Sequence, residues 1–198
     1  MYGTEREKHL GGWWNSKNPW GDPGTWAPEI WNKIIRDFNI ESVADMGCGL
    51  GHSTLYFARK GLYAVGIEGG SNAINNNVFE GFLIKNDYTK SSAFNDEEFD
   101  LVWCSEFVPY VEEQFLDNIL NDFKHSKYIA MSYEGTQCPF NRFNVKTESY
   151  WIDKLDSIGF KFKEEYSSEL RQLASRMNML RDFPHSGHLQ KLLFFEKI

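Results

Sequence analysis

The sequence predicts a doubly wound α/β domain on a mostly parallel sheet, and three observations predict it. Strand-like and helix-like stretches alternate along almost the whole chain, which implies parallel strands joined by right-handed crossovers. Residues 99–104 are nearly continuously apolar, as expected of a strand covered on both faces. Residues 43–51 combine an apolar strand end, an acid and glycines at every second position, and residues 52–58 follow at helical spacing. A strand running through a glycine turn into a helix sets bare backbone N–H groups against a ligand.

The elements follow in order. Thr25 is placed to cap a first helix whose apolar stripe is Ile30, Trp31, Ile34, Ile35 and Phe38, with Pro28 tolerated in its first turn. Residues 42–46 form the first strand, and residues 52–60 a helix ended by Gly61 at the position that favours glycine. Residues 62–67 make a second strand closed by Glu68, Gly69 and Gly70. A short helix over 71–79 and a third strand over 81–85 come next, then the fourth strand at 99–104. A helix over 111–123 leads to the fifth strand, 127–133. A helix over 147–158 stops at Gly159 and is followed by a strand over 160–166, a helix over 168–181 and a last strand over 190–197. In such sheets ligands bind at the carboxyl ends of the strands, so functional residues are expected just after strands one to five.

With 198 residues the chain fits one domain, 1–198, large enough to bury a core without staples. The formal net charge is −7 and the pI about 5.3. Nucleic-acid affinity comes largely from cations neutralising phosphates, and no basic surplus supplies them here, so a nucleic-acid partner is disfavoured. Mean hydropathy is −0.51, and no apolar run reaches the length of a membrane span, so no membrane partner is expected. Cys48, Cys104 and Cys138 are too few and too scattered for a disulfide framework or a zinc cluster, and a reducing cytoplasm is the expected setting. The oligomeric state stays open.

Glu68 ends the second strand, where a carboxylate can accept both hydroxyl protons of a ribose. Gly69 and Gly70 behind it let the backbone approach closely. Asp87 ends the third strand, where an acid can accept from an adenine amino group. Each acid alone also fits a solvated strand end; their conjunction with the glycine turn is what points to a nucleoside. A nicotinamide-type Gly-x-Gly-x-x-Gly counted from Gly47 would need a third glycine where the chain has His52.

Gly47, Gly49 and Gly51, with Asp45 ahead of them, resemble the first motif of class I S-adenosylmethionine (SAM) methyltransferases. The resemblance extends over essentially the whole chain, and is similar in particular to compact phage- and virus-type methyltransferases through residues 21–26, 45–53, 99–108 and 148–152. It implies a seven-stranded Rossmann-like sheet whose last strand is antiparallel. It also implies SAM as cofactor, lying across Gly47–Gly51, Glu68, Asp87 and the residues after strand four. The cofactor-side candidates are therefore Asp45, Gly47, Cys48, Gly49 and Gly51 from the first turn. Glu68 and Gly69, Asp87 and Tyr88, and Ser105 complete that set.

On the acceptor side, Glu106 follows strand four and is the first candidate to orient or deprotonate a hydroxyl; as a plain carboxylate it also fits a helix cap. Related sequences carry a Glu-His pair shortly after this position, where this chain reads Pro109-Tyr110, and consecutive histidines where it reads Asn141-Arg142. Two imidazole sources are thus missing. Tyr110 and His125 are the substitutes considered, although Tyr110 fits a plain packing aromatic better. Asp182, His185 and His188 have a spacing a metal can use, but Pro184 and Gly187 argue for a turn, and no metal is assigned.

Trp13, Trp14, Trp20, Trp26 and Trp31 are interleaved with glycines and prolines. Residues 1–26 read as a lid over the site or as aromatics packed on the sheet edge. Trp14, Trp26 and Arg142 are the candidate acceptor contacts. The expected activity is SAM-dependent methyl transfer, O-directed, onto a sugar-containing or other small molecule. Methylation of nucleic acid or protein, and a SAM-binding but catalytically quiet protein, are the alternatives.

Overall fold

The structure, a computed structural model, describes Leu10 and residues 21–135, 142–179 and 186–198. Its strands are β1 (Ser42–Met46), β2 (Tyr63–Glu68), β3 (Phe82–Lys85), β4 (Phe99–Cys104), β5 (Ser126–Ser132), β6 (Phe160–Phe162) and β7 (Leu192–Lys197). The α-helices are α1 (Pro28–Phe38), α2 (His52–Arg59), α3 (Ser71–Asn75), α4 (Leu116–Phe123), α5 (Glu148–Asp156) and α6 (Glu164–Met179). The strands form one seven-stranded sheet in the order β3-β2-β1-β4-β5-β7-β6. The pairings through β1 to β5 are parallel, and β7 runs antiparallel to both β5 and β6. The strand order reverses direction between β1 and β4. That boundary is the switch point where such sheets open a crevice.

The sheet is covered on both faces because its central strands are apolar on both. In β4, Leu101 and Trp103 pack with Trp31, Ile34, Phe57 and Phe194 on one face. Val102 and Cys104, alternating with them, pack with Met46, Ile67, Phe123 and Phe195 on the other. Among the described residues no helix is long and apolar enough to cross a membrane.

Local competition explains where the elements depart from the sequence reading. Thr25 does not cap α1: it ends a 3-10 turn, Pro23–Thr25, and the residue before α1 is Ala27, which makes no side-chain cap. Asp22 caps that turn by accepting the Gly24 N–H at 2.7 Å. The strand expected over 160–166 stops at Phe162 and α6 begins at Glu164. Acidic Glu164 and Glu165 suit a helix start. A helical Tyr166 also lays its ring against Phe38 and Phe194, at 4.9 and 4.8 Å between centroids. The helix expected from Val111 is regular only from Leu116, with 3-10 turns at Val108–Tyr110 and Glu113–Phe115 before it.

Candidate active site

The turn after β1 is built by left-handed glycines. Gly47 has φ +73°, and a Cβ there would lie 2.6 Å from the Phe107 ring, so the close approach of that side chain to the turn needs glycine. Gly49 has φ +55°, and nothing lies within 4 Å of where its Cβ would stand. Its missing side chain leaves open space at a position that lines the main cavity. Buried Asp45 fastens the following helix to β1, with Oδ2 accepting from Ser53 Oγ at 2.5 Å and Thr54 Oγ1 at 2.6 Å.

Burial pushes the Asp45 carboxyl up to about 6, opposed by the two hydroxyl donors and assisted by Glu68. Its native value lies above the unfolded value near 3.8, so the native state binds the extra proton between the two. Asp45's contribution to stability is therefore fully present below about pH 4 and is lost as pH rises through about 6. Asp45→Asn is expected to gain stability relative to wild type, on the order of 3 kcal/mol, between pH 4 and 7. Urea unfolding of both proteins across that range checks it, and parallel pH profiles would remove Asp45 as the cause.

Glu68 holds the same turn from β2: Oε2 accepts the Gly49 N–H at 2.9 Å and Oε1 the Gly70 N–H at 2.7 Å. Asp87 Oδ1 accepts from the Thr89 N–H and hydroxyl at 3.0 and 2.6 Å. Tyr88 is buried, donates its hydroxyl to Asp122 at 2.6 Å and packs on Phe107. Burial pushes the Cys48 thiol well up, helped by Asp45 and Glu68, so it stays protonated. Ser105 Oγ is buried with no hydrogen-bond partner among the described residues.

These residues surround a cavity of about 520 Å³ at the β1–β4 boundary, a size typical of small-molecule sites. Every cofactor-side candidate except Gly51 lines it. Gly51 stands behind the turn, where a Cβ would strike the Asn77 side chain. Gly21–Trp26, Trp31, Trp103, Glu106 and Tyr110 line the cavity as well. Asp22, Asp45, Glu68, Asp87 and Glu106 all line the cavity, and among the described lining residues none is lysine or arginine.

Glu106 sits in the left-handed region at φ +54°, unusual for a side chain of its size and costly by roughly 1–2 kcal/mol. Ser132 Oγ, at the end of β5, accepts its N–H at 2.8 Å. Arg142 Nη2 donates to Glu106 Oε2 at 2.8 Å, and both side chains are 8% exposed. Arg142 Nη1 donates to buried Glu134, whose other oxygen accepts from Lys191. The guanidinium lies 5.7 Å from the Tyr110 ring centre. His188 Nδ1 lies 2.7 Å from Glu106 Oε1, off the axis of an aligned hydrogen bond, and among the described residues no other donor reaches that oxygen.

Among the acceptor-side candidates, Trp26 lines the cavity and is 38% exposed. Arg142 is not a cavity wall; it is committed to two glutamates. Trp14 lies outside the described residues, as do Asp182 and His185. His125 is not brought to the site. It precedes β5, so it sits at the amino ends of the strands, where its Nδ1 lies 2.9 Å from the Glu97 carbonyl oxygen. Sequence reasoning missed Glu134, just after β5, and missed that His188 and Lys191 meet Glu106 and Glu134, because the segment before β7 brings those two from the far end of the chain.

Residues 44–130 match the methyltransferase domain family. Among curated proteins the sequence finds no match. Solved structures share the fold at low identity. The [4+2]-cyclase SpnF superposes with a TM-score of 0.57 at 12% identity, over 89% of this chain and 85% of that one. A TehB-like SAM-dependent methyltransferase from Corynebacterium glutamicum gives 0.59 at 14%, over 90% of each chain. Magnesium protoporphyrin IX methyltransferase from Synechocystis, with bound SAM, gives 0.60 at 14%, over 86% of this chain and 77% of that one. At such identities the likeness establishes the fold; the chemistry must come from the site.

Proposed function

We propose that this protein transfers a methyl group from SAM to a hydroxyl of a small, uncharged acceptor, with sugar-containing molecules the leading class. The enzyme class and the cofactor rest on the methyltransferase domain at residues 44–130, and the acceptor class on the cavity. The observation that carries the reading is the set of carboxylates and glycine turns gathered around one cavity at the sheet's switch point.

The residues fit the cofactor. Glu68 stands where a ribose would meet its carboxylate, and Gly49 leaves room where the backbone must approach. Ser105 offers a buried hydroxyl without a partner among the described residues. SAM supplies an electrophilic methyl group on a sulfonium, so the chain's task is to align an acceptor oxygen and exclude water. An acidic, tryptophan-walled cavity favours the cationic cofactor and repels phosphate or carboxylate groups on an acceptor. That supports a neutral small molecule over a nucleic acid, and Trp26 offers a ring face for a sugar. The phage- and virus-type likeness rests on the quoted sequence stretches alone.

Calorimetry with SAM and S-adenosylhomocysteine (SAH), and with NADH as the negative control, tests the cofactor. Glu68→Ala is expected to weaken SAH binding about 10- to 150-fold, from loss of charge-assisted hydrogen bonds of roughly 1.5–3 kcal/mol. A folded Glu68→Ala with unchanged affinity would take Glu68 out of the site. Released SAH, measured against pooled neutral metabolites and glycans, tests the acceptor. SAH binding with turnover only on anionic or nucleic-acid pools would overturn the acceptor class.

A further inference from the structure

We propose that Asp22 is the group that receives the α-ammonium of the bound cofactor. The inference rests on the methyl-transfer reading and goes beyond it by giving the amino-acid end of SAM a partner outside the glycine turn. Three observations carry it: the order of the functional groups along the sheet, the place where residues 21–26 cross them, and the state of the Asp22 carboxylate.

The carboxyl ends of the strands follow the order β3, β2, β1, β4 along the sheet. Asp87 comes after β3, Glu68 ends β2, the glycine turn follows β1, and Ser105 and Glu106 follow β4. A cofactor with its adenine beside Asp87 and its ribose at Glu68 therefore carries its amino-acid end across β1 toward β4. Residues 21–26 pass over that point. A Cβ on Gly21 would stand 3.7 Å from the His52 ring and 3.9 Å from Leu50, both just beyond β1. On the other side lies Tyr110, beyond β4, whose phenol is pushed up by burial and Glu106, with Asp22 adding to the push. Asp22 thus stands on the cavity wall within reach of both turns.

An ammonium is held best by a carboxylate with an oxygen still to fill. The other acids on the wall already hold partners. Asp45 is 2% exposed and holds Ser53 and Thr54. Glu68 accepts a backbone N–H on each oxygen. Asp87 holds Thr89 with one oxygen and Lys90 with the other. Glu106 pairs with Arg142. Asp22 is half-buried, its Oδ1 accepts the Gly24 N–H, and among the described residues no donor reaches its Oδ2. The bond to Gly24 sets the side chain in advance, so little freedom is lost when a charged donor arrives. The Pro23–Thr25 turn that follows Asp22 packs against Ser186–Lys191, which ties the segment to the rest of the fold.

Calorimetry tests this with SAH and with the analogue of SAH that lacks only the amino group, on wild type and on Asp22→Asn. The substitution keeps an oxygen for the Gly24 N–H and removes only the charge. Wild type should prefer SAH over the analogue by at least about fivefold, and Asp22→Asn should cut that preference by at least about fivefold. A wild type that binds the two within about fivefold of each other overturns the proposal without the variant. A variant that keeps more than about a fifth of the preference overturns it as well, whether neither ligand loses affinity or both lose it alike. Both of those results leave SAM as the cofactor. Wild-type protein that binds neither ligand overturns the methyl-transfer reading itself.

Discussion

Gly49→Val is expected to abolish SAH binding in a protein that still folds. A Cβ at this position meets nothing within 4 Å, so the side chain starts into open space on the cavity wall. Folding pays only for holding a branched residue at φ +55°, roughly 1–2 kcal/mol, or a few degrees of melting temperature for a chain of this length. Gly61→Val is the matched control. Gly61 has φ +86°, also meets nothing within 4 Å, and ends α2 away from the cavity. Both variants should melt a few degrees early, and only Gly49→Val should lose SAH, by at least about 100-fold in calorimetry. Equal affinity in the two would make the turn a structural device and empty the cavity of its assigned occupant.

What the sequence made legible was local. Ser42–Met46 and Phe99–Cys104 are strands with the bounds expected of them, because their apolar runs are buried on both faces and end at turns. The cavity wall around the glycine turn was legible because Asp45, Gly49 and Glu68 lie within a few residues of strand ends whose order alternation dictates. The acceptor side was not, because it is assembled across the sheet. Arg142 reaches Glu106 by way of a loop whose Phe143 and Asn144 N–H groups donate to the Pro109 carbonyl. His188 arrives from the segment before β7, which only the antiparallel return of that strand brings beside β5. His125 was misplaced for the same reason in reverse: a residue before a parallel strand lies opposite the residues after it.

Arg142→Met is expected to produce the largest loss of stability among the site variants that keep the cavity open. Arg142 neutralises Glu106 and Glu134, and all three side chains are 5–8% exposed. Removing the shared cation leaves buried carboxylates uncompensated, a loss of about 3–5 kcal/mol for a broken buried pair. At roughly 2–4 °C per kcal/mol the melting temperature should fall by about 6–20 °C. The two acids do not suffer equally. Glu134 keeps Lys191, whereas Glu106 keeps only the imperfectly aligned His188. The remaining penalty therefore sits on Glu106, and adding Glu106→Gln to Arg142→Met should recover part of the loss. Adding Glu134→Gln should recover less, since it orphans Lys191 in turn. This order distinguishes a buried relay centred on Glu106 from a surface ion pair, for which Arg142→Met would change stability by less than about 1 kcal/mol and neither second substitution would matter. A thermal melt of the four proteins decides between them.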